Sequence, residues 1–170
     1  MIPAALALTT AGATALAKSE PPSRIGVDWT DPAGFADVRE SACSTRAKPV
    51  EWLGELARHL RRRADQVLAP GQHLDVTITD IRRAGICEPW RGPRWDDIRI
   101  VKDIYPPSID LRYTLTGSDG ARLRGGEEKL RDPAFLNRST PNRDDPLRYE
   151  KRLLDDWLLR EFAAPRTRHD

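Results

Sequence analysis

Between Pro49 and Leu68 the residues Trp52, Leu53, Leu56, Leu60, Ala64, Val67 and Leu68 recur at three- and four-residue steps, while Arg58, Arg61, Arg62 and Asp65 fall elsewhere. That spacing predicts a helix with one apolar stripe, and such a stripe has to be buried against a second layer. Pro70-Gly71 supplies the stop, with glycine where a left-handed cap residue is wanted. Leu74, Val76 and Ile78 then alternate with Asp75, Thr77 and Thr79, the pattern of a strand with one dry face and one wet one. Helix and strand therefore predict each other's burial.

The remaining elements follow from the same two periodicities. Ile25, Val27 and Trp29 alternate with Gly26 and Asp28 as a short strand, and a turn at residues 31–34 leads to residues 35–39, which read as a continuation of the sheet edge. Residues 84–97 hold prolines, glycines and two tryptophans and read as a long loop; residues 98–101 follow as a strand. Ile109, Leu111, Tyr113 and Leu115 form the next alternating run, Gly117-Ser118-Asp119-Gly120 a hairpin turn, and residues 121–130 the return strand. Gly125-Gly126 within that strand predicts a bulge or the close approach of another backbone. After a polar loop, Asp145-Pro146 gives an N-cap with proline at the first helical position, and Tyr149, Leu153, Leu154, Trp157, Leu158 and Phe162 make a second apolar stripe. The order predicts an α+β fold of two layers, a mainly antiparallel sheet of about four to five strands with two helices on one face.

Residues 1–17 carry no charge and end in Ala15-Leu16-Ala17, the small-x-small pattern of a signal-peptide cleavage site. The run is shorter than the ~20 apolar residues a membrane-spanning helix needs. It reads as an export signal cleaved after Ala17, so the expected location is periplasmic; an alanine-rich arm on a cytosolic protein is the alternative. The lysine or arginine that usually opens such a signal is missing, which points either to a start codon further upstream or to a weak signal. The expected organisation is a signal peptide over 1–17, a flexible leader over 18–24, one domain over 25–162 and a frayed tail over 163–170. In an oxidising compartment Cys43 and Cys87 can form one disulfide, with two buried thiols as the alternative.

With 28 Lys+Arg against 26 Asp+Glu the formal net charge is +2, which excludes a one-sided basic coat for nucleic acid. The chain carries no nucleophile elbow, no HExxH, no P-loop and no dinucleotide fingerprint, and His59, His73 and His169 lack partners at a diagnostic spacing. No cofactor, catalytic residue or metal site is therefore assigned. The feature most suited to binding is Trp90, Arg91, Arg94 and Trp95 in one loop, where flat indoles can stack and guanidinium groups can pair with anions. The bland alternative has both indoles folded over the sheet and the arginines paired with Glu88, Asp96 or Asp97. Arg58-His59-Leu60-Arg61-Arg62-Arg63 is the densest basic run; it could touch phosphates or acidic lipid headgroups, but on a helix whose other face is apolar it reads first as the wet side.

Several stretches also carry a family likeness: Asp28-Trp29-Thr30-Asp31-Pro32, Glu88-Pro89-Trp90-Arg91-Gly92, residues 97–107, residues 126–132 and residues 144–151. Together they make the chain resemble, over about residues 25–162, a family of exported proteobacterial proteins classed as a domain of unknown function. The resemblance implies export and brings no activity, cofactor or assigned site. The leading expectation is a non-enzymatic envelope protein that binds a protein or glycan partner through the 90–95 loop. A hydrolase using Glu127 or Asp97, and a purely structural protein, are the alternatives.

Overall fold

A computed structural model describes residues 23–43, 49–140 and 142–163. The expected signal peptide, most of the leader and all but the first residue of the expected tail lie outside the described residues. The fold is α+β. Its main sheet has four strands in the order β1-β2-β5-β6, formed by β1 (Ile25–Trp29), β2 (His73–Arg82), β5 (Ser108–Thr116) and β6 (Arg122–Arg131). A second ladder of two short strands, β3 (Ile86–Cys87) and β4 (Arg99–Ile100), stands apart from it. Helices α2 (Pro49–Val67) and α3 (Arg148–Phe162) pack against each other and against the sheet.

The packing follows the apolar stripes. Trp52, Leu53, Leu56, Leu60 and Ala64 of α2 and Leu153, Leu154, Trp157 and Leu158 of α3 are buried in one core with Leu74, Val76 and Ile78 of β2 and Ile109, Leu111 and Tyr113 of β5. Tyr113, Trp157 and Phe162 meet edge to face, with ring centroids 5.4–5.7 Å apart. The alternate residues of β2 and β5, among them Asp75, Thr77, Asp110 and Arg112, form the wetter face. Gly71 adopts φ +81°, so the stop after α2 is the left-handed glycine its position predicts.

Four details differ from the sequence expectation. First, residues 35–39 do not extend the sheet. Asp31 accepts a hydrogen bond from the Ala33 N–H and opens a 3-10 turn over Pro32–Gly34, after which α1 (Ala36–Glu40) forms with Phe35 buried and the Ala36 N–H donating to Asp80. Second, β1 pairs parallel to β2, Ile25 opposite Leu74, because α2 carries the chain back to the same end of the sheet. Third, residues 84–97 are not wholly irregular, since Ile86 and Cys87 pair with Ile100 and Arg99; the predicted 98–101 strand belongs to this ladder. Fourth, α3 begins at Arg148, because Asp145 accepts from the Leu147 N–H and caps a turn ahead of the helix.

The hairpin turn closes as expected, with the Gly117 N–H bonded to the Ala121 carbonyl and Gly120 at φ +77°. The irregularity in β6 falls at Leu123, where the register opposite Leu115 and Thr116 slips. At Gly125 a Cβ would sit 2.8 Å from the Tyr113 carbonyl oxygen, so the close backbone approach is real. Among the described residues no helix is long and apolar enough to cross a membrane.

Cys43 and Cys87 form a disulfide, with Cα atoms 4.8 Å apart, and the Cys87 N–H donates to the Ser41 carbonyl beside it. The bond joins the segment that follows β1 to the one that follows β2. Replacing the pair, Cys43→Ser with Cys87→Ser, is expected to lower stability by about 1–4 kcal/mol in urea titration, the upper value being the chain-entropy limit for this 44-residue separation. An unchanged midpoint would mean that the surrounding hydrogen bonds alone hold the two ends.

Candidate functional site

Between Ala84 and Tyr105 the chain leaves the main sheet, and the root of this excursion is tightly tied. The Gly85 N–H donates to the Tyr105 carbonyl at 3.0 Å, closing the loop at its neck. Gly85 has φ +81°, and a Cβ there would lie 2.5 Å from the Ile100 carbonyl oxygen. Only glycine fits both constraints. Below the neck, Asp37 of α1 is buried and accepts from the Arg83 backbone N–H, from Arg83 Nε at 2.8 Å and from Arg99 Nη2 at 3.1 Å. Arg99 also donates to the Gly85 carbonyl.

A second buried carboxylate organises the excursion itself. Glu88 Oε1 accepts from Lys102 Nζ at 2.5 Å and from the Tyr105 hydroxyl at 3.1 Å, and Oε2 lies 2.7 Å from Arg91 Nε. The Lys102 hydrogen bond, set against burial and joined by the Tyr105 bond and the nearby cations, holds the Glu88 carboxyl below its ordinary range. Burial, with the neighbouring Glu88, pushes the Tyr105 phenol up. Glu88 Oε2 meets Arg91 as an ion pair only and accepts no hydrogen bond.

The four residues singled out in the sequence divide into two pairs. Arg91 stacks over Trp95, 5.3 Å from the ring centroid, while its Nε faces Glu88; Trp95 is half-buried. The pairing of Arg91 with Glu88 is one that the bland alternative named. Trp90 is different, at 68% exposed, and Arg94 is exposed as well. Nearby in sequence Ile98, Val101 and Ile104 also stand in solvent, so half of the eight large apolar side chains left exposed among the described residues belong to this one excursion. Sequence reading missed these aliphatics because Ile98 and Val101 were assigned to a strand, where alternate residues are buried.

A protein-family model described as Protein of unknown function (DUF3016) matches residues 23–160. The chain belongs to the DUF3016 family. Neither the curated proteins nor the solved structures yield a match to it. The DUF3016 match takes in β1, the excursion and nearly all of α3, so the likeness to a domain of unknown function seen over residues 25–162 is borne out. It carries no activity with it.

Within this DUF3016 domain the two carboxylates considered for hydrolysis do not share a unit. Glu127 lies on β6 opposite Arg112, and Asp97 lies in the excursion. The buried carboxyl with the most altered setting is instead Glu150 of α3, fully buried, whose Oε1 accepts from the Ala84 N–H at 2.6 Å while Oε2 has no hydrogen-bond partner. Burial pushes this carboxyl up, against the opposing pull of the Ala84 N–H and Arg83.

Two measurements test this description. Because the folded state holds the Glu150 proton more firmly than the unfolded chain does, the associated stability is complete below the unfolded value of 4.5 and is lost as pH rises toward the folded value. Glu150→Gln keeps an oxygen for Ala84 and removes the charge, so Tm near pH 8 is expected to rise by roughly 3–5 °C, about 1 kcal/mol, with little change near pH 4. A lower Tm near pH 8 would show that Arg83 holds the ionised form. For the surface, iodide quenching of tryptophan fluorescence is expected to fall sharply in Trp90→Phe, since Trp52 and Trp157 are buried and Trp29 and Trp95 are partly so. Equal quenching in the variant and the parent would place Trp90 under cover.

Proposed function

We propose that the protein is a non-enzymatic accessory protein of the cell envelope that docks onto a protein partner through the outer surface of the 84–105 excursion. The observation that carries this reading is Trp90, a large indole exposed on a loop whose root is held by a disulfide, a buried carboxylate hub and an obligate glycine. An exposed indole on a preorganised loop loses little entropy on binding, and tryptophan and arginine are the residue types that dominate binding energy at protein interfaces. The company of Ile98, Val101 and Ile104 favours a protein over a glycan, because aliphatic side chains add contact area to an apolar partner and offer nothing to sugar hydroxyls.

The envelope setting rests on the expected signal over residues 1–17, and the Cys43–Cys87 disulfide is compatible with an oxidising compartment. The excursion is also where the domain departs furthest from what its own core requires, since the main sheet and the two long helices close a core without it.

The test is site-specific photo-crosslinking in the native host, with the crosslinker placed in turn at positions 90, 104 and 112. Position 112 lies on the wetter sheet face and serves as the control. One discrete adduct shared by 90 and 104, missing at 112 and lost when Trp90→Ala is combined with a crosslinker at 104, is the expected result. The same adducts at all three positions, or none at 90, would overturn the reading. Retention on envelope glycans that disappears in Trp90→Ala would replace the protein partner with a sugar.

A further inference from the structure

A second cleft, of about 440 Å³, lies among α2, α3 and residues Arg138, Ser139, Asn142 and Asp145, and none of its lining residues belongs to the excursion. Six arginine or lysine side chains line it against three aspartates. Each aspartate is already engaged. Asp155 sits 2.9 Å from His59 Nε2 and 3.0 Å from Arg63 Nε, Asp156 faces Arg138 at 2.6 Å, and Asp145 faces Lys151 at 2.5 Å. Burial works against ionisation of Asp155 and Asp145, yet His59 and Arg63 for the first, and Lys151 and the Leu147 N–H for the second, hold both carboxyls below the usual range. Arg152 is neutralised by Asp132 from outside the cleft, at 2.9 Å.

Of the six cations lining the cleft, two have no carboxylate partner among the described residues: Arg62 on α2 and Arg148 at the start of α3. Arg148 is nevertheless held in place. It donates to the Asp145 carbonyl and to the Tyr149 hydroxyl, each at 3.1 Å, and stacks 4.4 Å above the Tyr149 ring. A fixed cation that no side chain neutralises is a group prepared for an anion from outside. Neutral donors are present too. Ser139 lines the wall, and Asn142 uses its oxygen to accept from the Asp144 N–H, which leaves its amide N–H groups for another acceptor. A neighbouring cleft of about 320 Å³ shares Arg138, Ser139 and Arg148 and adds the exposed Arg143.

We infer that this cleft binds a ligand carrying a phosphate-ester group, gripped between Arg62 and Arg148. A single carboxylate would bring one charge and two oxygens to two unneutralised forks, whereas a phosphate monoester brings nearly two charges and three free oxygens. The volume suits a small organic phosphate or one lipid headgroup. A nucleic-acid polymer fits less well, since the formal net charge of the whole chain is only +2.

Titration calorimetry on the full disulfide-bonded chain, with glycerol phosphate and glucose 6-phosphate as probes, tests the inference. The expected result is saturable single-site binding that weakens roughly tenfold or more in Arg62→Gln and in Arg148→Gln and is unchanged in Arg94→Gln, which lies in the excursion. Phosphatidylcholine vesicles with and without phosphatidic acid separate the sources. Binding that needs phosphatidic acid and is lost in Arg62→Gln assigns a headgroup, and binding of the soluble probes alone assigns a free ester. Arg148→Gln loses a ring contact, so the exposed Arg62→Gln is the decisive variant if the first fails to fold. Neither probe nor vesicle binding, or binding that Arg62→Gln leaves unchanged, would overturn the inference.

Discussion

The carboxylate of Asp37, withdrawn from water at the end of a short helix, must be neutralised where it sits, and much of the molecule is arranged by how that happens. Two guanidinium groups reach it, Arg83 from just beyond β2 and Arg99 from β4, and the Arg83 backbone N–H joins them. An isolated buried charge would be prohibitive, so the three residues are fixed together or not at all. Their union determines where β2 gives way to the excursion, and Arg99 carries the constraint onward by donating to the Gly85 carbonyl. Glu150 arrives from α3 to take the Ala84 N–H one residue away. Sheet, short helix, long helix and excursion thus meet at one polar knot at the edge of an otherwise apolar core.

The long elements were legible because burial on one side forces a period. The stripe of α2, the alternation of β2 and β5 and the glycine after α2 all express a single apolar layer, and each is found where its period placed it. The misread parts are those governed by single hydrogen bonds. Residues 35–39 read as a continuation of the sheet edge, and what turns them into a helix is the Asp31 cap and the bond from Ala36 to Asp80, a residue 44 positions away. Asp145 was recognised as a cap, but it caps a turn, and the helix starts later.

At the candidate surface, tryptophan in a proline- and glycine-rich loop was the visible signal, and it found Trp90. Nothing in the local pattern distinguished Trp90 from Trp95, because that difference is made by Glu88 drawing Arg91 inward so that Arg91 covers the second ring. The cleft between the helices was hidden for the converse reason. The basic run at residues 58–63 reads as a wet helix face, and only the arrival of α3 with its own cations and aspartates turns part of that face into one wall of an open cleft.

The parallel pairing of β1 with β2 has a consequence for how the chain reaches this state. β5 and β6 are joined by a tight turn and can find each other quickly, whereas β1 must wait for the whole of α2 to close a separation of 49 residues between Ile25 and Leu74. The Cys43–Cys87 bond spans that same crossover, beyond the matching ends of both strands. Where that link is formed, the loop that separates β1 from β2 is already closed at one end, so pairing the two strands costs less loop-closure entropy than in the reduced chain.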